Sequence, residues 1–422
     1  MAYSFPKDIE SLFLSYRQPL TARLNNALKD APGFAPKILE ELFEEASIDK
    51  VSDIHFEPRE DSAIIRFRVD GVLQTLGDIP KALYENILNR IKVQSRLRID
   101  KHREPQDGAM RMTIQGKEVD LRISIVPIAD GEKTVVRILS AYISELSLTN
   151  LGLSASSQKL LYQVAKKPFG MIIVTGPTGS GKTTTLYALI RLLNQPEVNI
   201  TTIEDPIEYK ITGVNQIQVN EATGITFAKG LRSIIRQDPN IILVGEIRDV
   251  ETAEIAVNAA LTGHLLFTTF HANDAATAIP RLLDMGVEPF LMASTLELIV
   301  AQRLVRTICQ SCKMSQSYPR DYIHNYFPNL KNHFLDESIT LYRGKGCPVC
   351  KGTGYKGRVA IFEFIQVSQN MKELIMQKPS VNQIWQKAKE TGAKGLFEDG
   401  MEKVKTGITT LEEVLRVASP RE

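Results

Sequence analysis

Over residues 65–69 apolar positions alternate with Arg66 and Arg68, the period of a strand that buries one face and wets the other. Asp70-Gly71 is a hairpin turn signal, so residues 72–76 are predicted to pair with that strand and both arginines to share its polar face. A helical spacing in Ile38, Leu39, Leu42, Phe43 and Ala46 comes before, and a second helix is predicted over residues 83–98. Asp107-Gly108 predicts another turn ahead of a strand over residues 110–114. Then Val119, Leu121, Ile123 and Ile125 alternate with Asp120, Arg122 and Ser124. Residues 35–140 are therefore expected to form a small α+β domain. Residues 1–34 show helical spacing at Ile9, Leu12, Phe13 and Tyr16, broken by Pro19 and Pro32, and are assigned no role.

Residues 141–154, where Leu146, Leu148, Leu151 and Leu153 punctuate polar positions, read as a linker. Beyond it the period changes. Residues 171–174, 200–203, 241–244 and 265–267 are short continuous apolar runs separated by helical stretches, the pattern of strands buried on both faces. Residues 155–422 are thus expected to be an α/β domain with a doubly wound parallel sheet. Near the end Thr410 and Glu413 are spaced as a capping box, each side chain serving the other's backbone N–H.

Composition narrows this little. A chain of 422 residues accommodates about two to four domains, and 43% hydrophobic with 24% charged residues excludes a disordered or collagen-like polymer. A net charge of +2 offers no support for nucleic acid or acidic lipid as a bulk partner. No apolar run approaches the roughly 20 residues that cross a bilayer. Lys7, Asp8, Glu10, Arg17 and Arg23 interrupt any signal-peptide core, so a cytoplasmic location is expected.

The sharpest chemistry lies after the run at 171–174. Gly176, Pro177, Thr178, Gly179, Ser180, Gly181, Lys182 and Thr183 fit G-x-x-x-x-G-K-[ST] between a strand and a helix, with Thr184 following in the first turn. Glycines let the backbone wrap so that N–H groups face phosphate oxygens, and the helix N-terminus adds positive potential. Lys182 is expected to reach the β- and γ-phosphates of ATP and Thr183 to place its hydroxyl on Mg²⁺. The strand at 241–244 leads through Gly245 to Glu246, a carboxylate suited to orient the attacking water. Gly245 stands where many nucleotide hydrolases carry a metal-binding Asp.

Four cysteines fall in two C-x-x-C pairs, Cys309 with Cys312 and Cys347 with Cys350. Four thiolates at this spacing suit a closed tetrahedral Zn²⁺ site, although C-x-x-C also occurs in redox proteins. A zinc subdomain is expected at about residues 305–360, inside the α/β domain. Arg343, Lys345, Lys351, Lys356 and Arg358 flank the second pair with no acid among them, either a solvated basic face or a binding patch.

Three further segments resemble one family. Thr202-Ile-Glu-Asp-Pro-Ile-Glu-Tyr209 is similar to the aspartate box, Gly245-Glu-Ile-Arg-Asp249 to the Walker B segment, and residues 262–274 to the histidine box of the secretion-system traffic ATPases. Ser52-Asp-Ile-His-Phe-Glu-Pro58 and Val119-Asp-Leu-Arg-Ile-Ser124 resemble their second N-terminal domain, so the likeness runs from about Pro36 to Val417 and is strongest to the type II secretion and type IV pilus assembly ATPases. The resemblance implies a RecA-like P-loop domain, a homohexameric ring, and ATP bound between the small domain and the RecA-like domain. It assigns Glu204 and Glu246 as catalytic carboxylates, His271 to the γ-phosphate, and Arg122 as the arginine of the small domain. From the residues alone, His264 and His271 read rather as hydrogen-bonded core or interface residues, and Arg66, Arg68, Arg122 and Arg137 as surface ion pairs. Ala109 replaces an arginine usual in the family, with Arg111 on the same strand face.

A four-cysteine subdomain is shared with assembly and secretion ATPases rather than retraction ATPases. The implied role is powering pilus or pseudopilus assembly through an inner-membrane platform protein, with peripheral membrane association through partners and no specific nucleic acid. A conjugation-type or DNA-translocating ring ATPase is the alternative. About 35 residues precede the small domain where many relatives carry a further docking domain. Tethering is therefore expected through the zinc subdomain, the small domain or a separate adaptor.

Overall fold

The computed structural model describes residues 35–139, 147–333 and 336–421. The spacing read at Ile9 to Tyr16 and the start of the linker, residues 141–146, lie outside them. The described residues divide into two units, each taken by itself below. The first holds residues 35–139 with Cys309–Lys313 and Gly344–Gly357, and the second holds the rest.

The first unit is a six-stranded antiparallel sheet in the order β3-β2-β1-β6-β5-β4, formed by β1 (Asp53–Pro58), β2 (Ser62–Val69), β3 (Val72–Pro80), β4 (Gln106–Ile114), β5 (Lys117–Ile128) and β6 (Gly131–Leu139). One face packs on α1 (Ala35–Ile48) and α2 (Lys81–Gln94), which bring Ile38, Leu42, Phe43, Tyr84 and Ile91 against Ile54, Phe56, Ile65 and Phe67. These side chains are essentially excluded from water. Each contributes about 1.5–3 kcal/mol by burial, which is why strict alternation in β2 and β5 specifies the register. The turn expected at Asp107-Gly108 is instead interior to β4, paired from Gln106 opposite Ile125 onward. Gly108 serves there as a site of close approach, since a Cβ on it would lie 2.9 Å from the Leu97 side chain.

The second unit carries the parallel sheet. Its strands are β7 (Gly170–Thr175), β8 (Ile200–Glu204), β9 (Asn215–Gln218), β10 (Ile241–Val244), β11 (Leu265–Phe270), β12 (Leu296–Ile308) and β15 (Tyr355–Gln366), in the order β15-β12-β7-β11-β10-β8-β9. From β12 to β9 every neighbouring pair is parallel. Every residue of β7, β8, β10 and β11 is buried, as expected for strands covered on both faces. The helices are α3 (Ala155–Ala165), α4 (Lys182–Leu193), α5 (Phe227–Ile235), α6 (Val250–Leu261), α7 (Ala275–Asp284) and α8 (Pro289–Thr295). A two-stranded sheet of β13 (Lys313–Pro319) and β14 (Ser338–Gly344) encloses α9 (Arg320–Tyr326). Helices α10 (Gln369–Ile375), α11 (Val381–Glu390), α12 (Leu396–Lys405) and α13 (Leu411–Val417) follow β15.

At α13 only half of the expected capping box forms. Thr410 accepts from the Glu413 N–H, but the Glu413 carboxylate turns away to take the Arg306 backbone N–H at 2.9 Å, the Arg306 guanidinium at 2.6 Å and Arg416 at 2.8 Å. Two guanidiniums outbid one backbone amide for a buried charge. Burial alone would raise the Glu413 pKa, yet the Arg416 and Arg306 hydrogen bonds outweigh it and hold it at about 2. Its folded pKa lies below the unfolded one, so its contribution is present above about pH 4.5 and is lost as pH falls through about 2. Glu413→Gln is expected to lower stability at pH 7 by roughly 3 kcal/mol and to flatten the acid limb of a denaturation curve between about pH 4.5 and 2. An unchanged acid limb would refute this account.

Candidate active site and metal centre

Ligands of parallel α/β sheets bind outside the carboxyl ends of the strands. Here four adjacent strands deliver chemistry to that edge. β7 ends in the glycine loop, β11 in His271, β10 in Gly245-Glu246, and β8 in Glu204-Asp205.

The loop has the shape of a phosphate cradle. Gly176, Gly179 and Gly181 all have positive φ, at 151°, 78° and 86°. A Cβ on Gly176 would lie 2.6 Å from both the Ser180 Oγ and the Gln302 carbonyl oxygen, so only glycine closes this turn. The Ser180 hydroxyl is buried with no protein partner, an orphan a bound anion can satisfy. Lys182 folds back to donate to the carbonyls of Gly176 at 2.8 Å and Pro177 at 3.2 Å. Burial lowers its pKa while Glu246 opposes the shift, so the ammonium is held by weak carbonyl acceptors and one nearby carboxylate. These residues fit a nucleotide polyphosphate. Support comes from residues the motif does not announce: Thr185 of α4 donates to the Gln302 side chain at 2.7 Å, locking the loop's helix onto β12.

Glu246 stands between a guanidinium and an imidazole. Arg248 donates to one oxygen, and His271 Nε2 lies 3.2 Å from the other. Arg248 also approaches the Asp205 carboxylate at 3.5 Å, so its guanidinium links Asp205 to Glu246, and the Glu246 carboxylate in turn links Arg248 to His271. The Arg248 pKa is raised, chiefly by its hydrogen bond to Glu246. Gly245 sits where β8 and β10 converge. Its N–H donates to the Ile203 carbonyl, its own carbonyl accepts from Thr269 Oγ1, and a Cβ there would lie 3.2 Å from the Glu204 backbone. A side chain at that position would push the two strand ends apart. The other box histidine, His264, faces its own helix end and donates from Nδ1 to the Ala259 carbonyl at 2.9 Å.

Glu204 lies beneath this surface, buried, and accepts from Tyr187 of α4, from Thr202 at 2.5 Å and from Gln216 at 3.2 Å. Burial raises its pKa against those three hydrogen bonds. It joins the aspartate box to the helix of the phosphate loop, whereas the next residue, Asp205, is the exposed one.

Arg122 belongs to the first unit, on β5 opposite Ala109 of β4 and Arg137 of β6. Its neighbours on that polar face are paired with acids of the same sheet: Arg66 with Glu57, Arg68 and Arg137 with Asp53, and Arg111 with Asp120. Arg111 thus shares the strand face of Ala109 but is turned to its cross-strand aspartate.

The four cysteines also gather in the first unit. Their Sγ atoms lie within 4.8 Å of one another, with 3.8 Å between Cys309 and Cys347, 3.8 Å between Cys312 and Cys350, and 3.7 Å between Cys347 and Cys350. A tetrahedron with Zn–S of about 2.3 Å has edges of about 3.8 Å, so the spacing fits zinc, and no disulfide is formed. Backbone N–H groups of Cys347 and Gly354 point at the Cys350 sulfur, as they would at a thiolate. Burial pushes Cys312 up to about 12, while the Cys350 backbone N–H holds Cys347 at about 7; a central cation resolves that conflict. Lys351 of the basic stretch extends from this cluster to Glu45 of α1 at 2.9 Å and to Asp49, just past its end, at 2.5 Å, so Lys351 is engaged within the unit.

Among the described residues no helix is long and apolar enough to cross a membrane. Comparison with known proteins places the chain. The family model described as Type II/IV secretion system protein matches residues 29–416. Type II secretion system protein E of Pseudomonas aeruginosa is 44% identical over 96% of this chain and 79% of its own length. The type IV pilus assembly ATPase PilB of Thermus thermophilus is 43% identical over 90% of this chain and 42% of its own length. The crystal structure of the pilus retraction motor PilT with bound ADP superposes with a TM-score of 0.62 at 27% identity, covering 90% of this chain and 97% of that one. With a RecA-like α/β sheet, a phosphate loop and near-full-length relatives that include named ATPases, the chain belongs to the type II/IV secretion system protein family.

Proposed function

We propose that this chain is a Mg-ATP-hydrolysing motor that assembles as a homohexamer and powers type II secretion or type IV pilus assembly through an inner-membrane platform protein. The observation that carries this is the 44% identity to a type II secretion system protein E over nearly the whole chain, at a site whose chemistry suits hydrolysis. Gly176 to Thr184 cradle the triphosphate. Lys182 exchanges its two carbonyl acceptors for phosphate oxygens. Glu246 orients the attacking water and accepts its proton, held in place by Arg248 and His271. Mg²⁺, held through the Thr183 hydroxyl, supplies neutralisation of charge on the phosphate oxygens. Glu204 fixes the aspartate box against α4, and Arg122 supplies positive charge from the small domain.

Cys309, Cys312, Cys347 and Cys350 hold a structural zinc, which supplies a cross-link between loop segments far apart in sequence. The chain works on the cytoplasmic side and is peripheral at the inner membrane, tethered by protein partners, with no specific nucleic acid. The solution mass of Glu246→Gln tests the assembly. With Mg-ATP it is expected near six times 47.2 kDa, and a persistent monomer under saturating nucleotide would sink the ring.

A further inference from the structure

The backbone after His271 is pinned residue by residue, each time from a different element. Ala272 exchanges two hydrogen bonds with the Thr175 hydroxyl, at 2.9 and 3.0 Å, directly ahead of the phosphate loop. The Asn273 carbonyl accepts from Arg303 of β12. Asp274 caps α7 by accepting from Thr277, and its second oxygen lies 3.0 Å from Arg421. The Ala275 N–H donates at 2.8 Å to Glu363 of β15, and Arg421 also reaches that carboxylate at 3.1 Å. Glu363 is 1% exposed. Arg421, which follows α13, therefore joins two carboxylates that face the first turn of the helix extending from the histidine box.

A buried carboxylate, Glu363, with a half-buried one, Asp274, beside the same guanidinium needs that cation nearby. Burial raises the Glu363 pKa, Arg421 and the Ala275 N–H lower it, and Asp274 raises it again, so this guanidinium is the charge that favours the ionised carboxylate. Arg421 lies 4.1 Å over the Trp385 ring on one side. On another a cavity of about 200 Å³ borders Asp274, Arg303, Glu363, Phe397 and Arg421, so packing does not confine it there. Its charge does.

We propose that Arg421 is a positioning residue for hydrolysis: by neutralising Glu363 and Asp274 it holds the start of α7, and through it the His271 backbone, so that the imidazole meets Glu246. This rests on Glu246 being the hydrolytic carboxylate. A displacement of about 1 Å at a reacting group can reduce the rate by up to about a hundredfold, and a loosened but unbroken segment less.

The test compares Arg421→Gln, Arg421→Lys and the double variant Arg421→Gln/Glu363→Gln in the full chain. Each is assayed for ATP turnover and for binding of a fluorescent ATP analogue. Arg421→Gln is expected to lower kcat about tenfold with KM and analogue affinity within about twofold. Arg421→Lys keeps the charge and should retain kcat within about threefold. The double variant removes the unpaired buried charge while leaving an oxygen for the Ala275 N–H, and should recover kcat to the same level. Wild-type kcat in Arg421→Gln, or a loss that neither Lys nor the second substitution repairs, overturns the proposal. Glu246→Gln run alongside separates the two readings, because full turnover in that variant defeats the hydrolytic assignment whatever Arg421 does.

Discussion

Glu246→Gln is expected to reduce steady-state ATP turnover by about 10²- to 10⁴-fold while nucleotide affinity stays within about twofold. The amide keeps the shape of the carboxylate and an oxygen toward His271 or Arg248, so the strand ends should not move. What is lost, on the proposed reading, is the group that takes the proton of the attacking water. Affinity is expected to be preserved because, on the same reading, the loop and Lys182 hold the polyphosphate without Glu246. The one coupling between them is electrostatic: Lys182 loses a nearby negative charge, and its pKa, already lowered by burial, moves lower still. Stopped turnover with bound nucleotide in isothermal titration would bear the assignment out. A kcat reduced less than about fivefold would remove Glu246 from the chemistry and direct attention to Asp205, the other exposed carboxylate on the Arg248 guanidinium.

Cys347→Ser is expected to reduce bound zinc from about one per chain to nearly none and to unfold the cysteine loop locally. Apparent zinc-binding energies are on the order of 10 kcal/mol, which exceeds what a loop of this size can recover from other contacts. Burial and neighbouring sulfurs already disfavour ionisation of Cys309 and Cys312. Residues 344–357 should lose amide protection in hydrogen exchange, and Lys351 should release Glu45 and Asp49 at the end of α1. The effect should be largest on thermal midpoint rather than on ATP affinity. A variant that binds no zinc yet keeps protection across residues 344–357 would show that the backbone, not the metal, holds this loop.

What was legible in the chain is chemistry that is local. The strands over 171–174, 200–203, 241–244 and 265–267 stand out because burial on both faces demands uninterrupted apolar residues. The glycine loop is readable because backbone curvature, lysine and threonine must come in one fixed run. The paired cysteines are readable because two short turns present four sulfurs. Other features depend on groups far apart in sequence and leave no such trace. Arg421 reaches Asp274, Glu413 reaches Arg306, Thr185 reaches Gln302, and Lys351 reaches Glu45, with ordinary residues at both ends. The half-formed capping box is instructive: Thr410 and Glu413 carry the right local spacing, but a half-buried arginine more than a hundred residues away competes better for the carboxylate. Gly108 misled for the converse reason, since a turn signal and a close-packing requirement call for the same residue.

The order of the parallel sheet also bears on how the chain is made. β7, which ends in the phosphate loop, has β11 on one side and β12 on the other, so its Gly170 pairs with Leu265 and its Thr175 with Ala301. During synthesis one edge of this fully buried strand stays unsatisfied until β11 emerges at Leu265, and the other until β12 follows from Leu296. Until then it is a bare template for pairing with other chains. Loop closure over such separations is slow, and the nascent ATPase unit is most exposed to aggregation in that interval. Gln302, which braces the loop through Thr185, arrives in the same late segment as β12. A ribosome-bound fragment stopping short of it carries the whole phosphate-binding motif without the wall that shapes it. Nucleotide binding is therefore expected to be acquired late in synthesis, when β12 adds to the sheet.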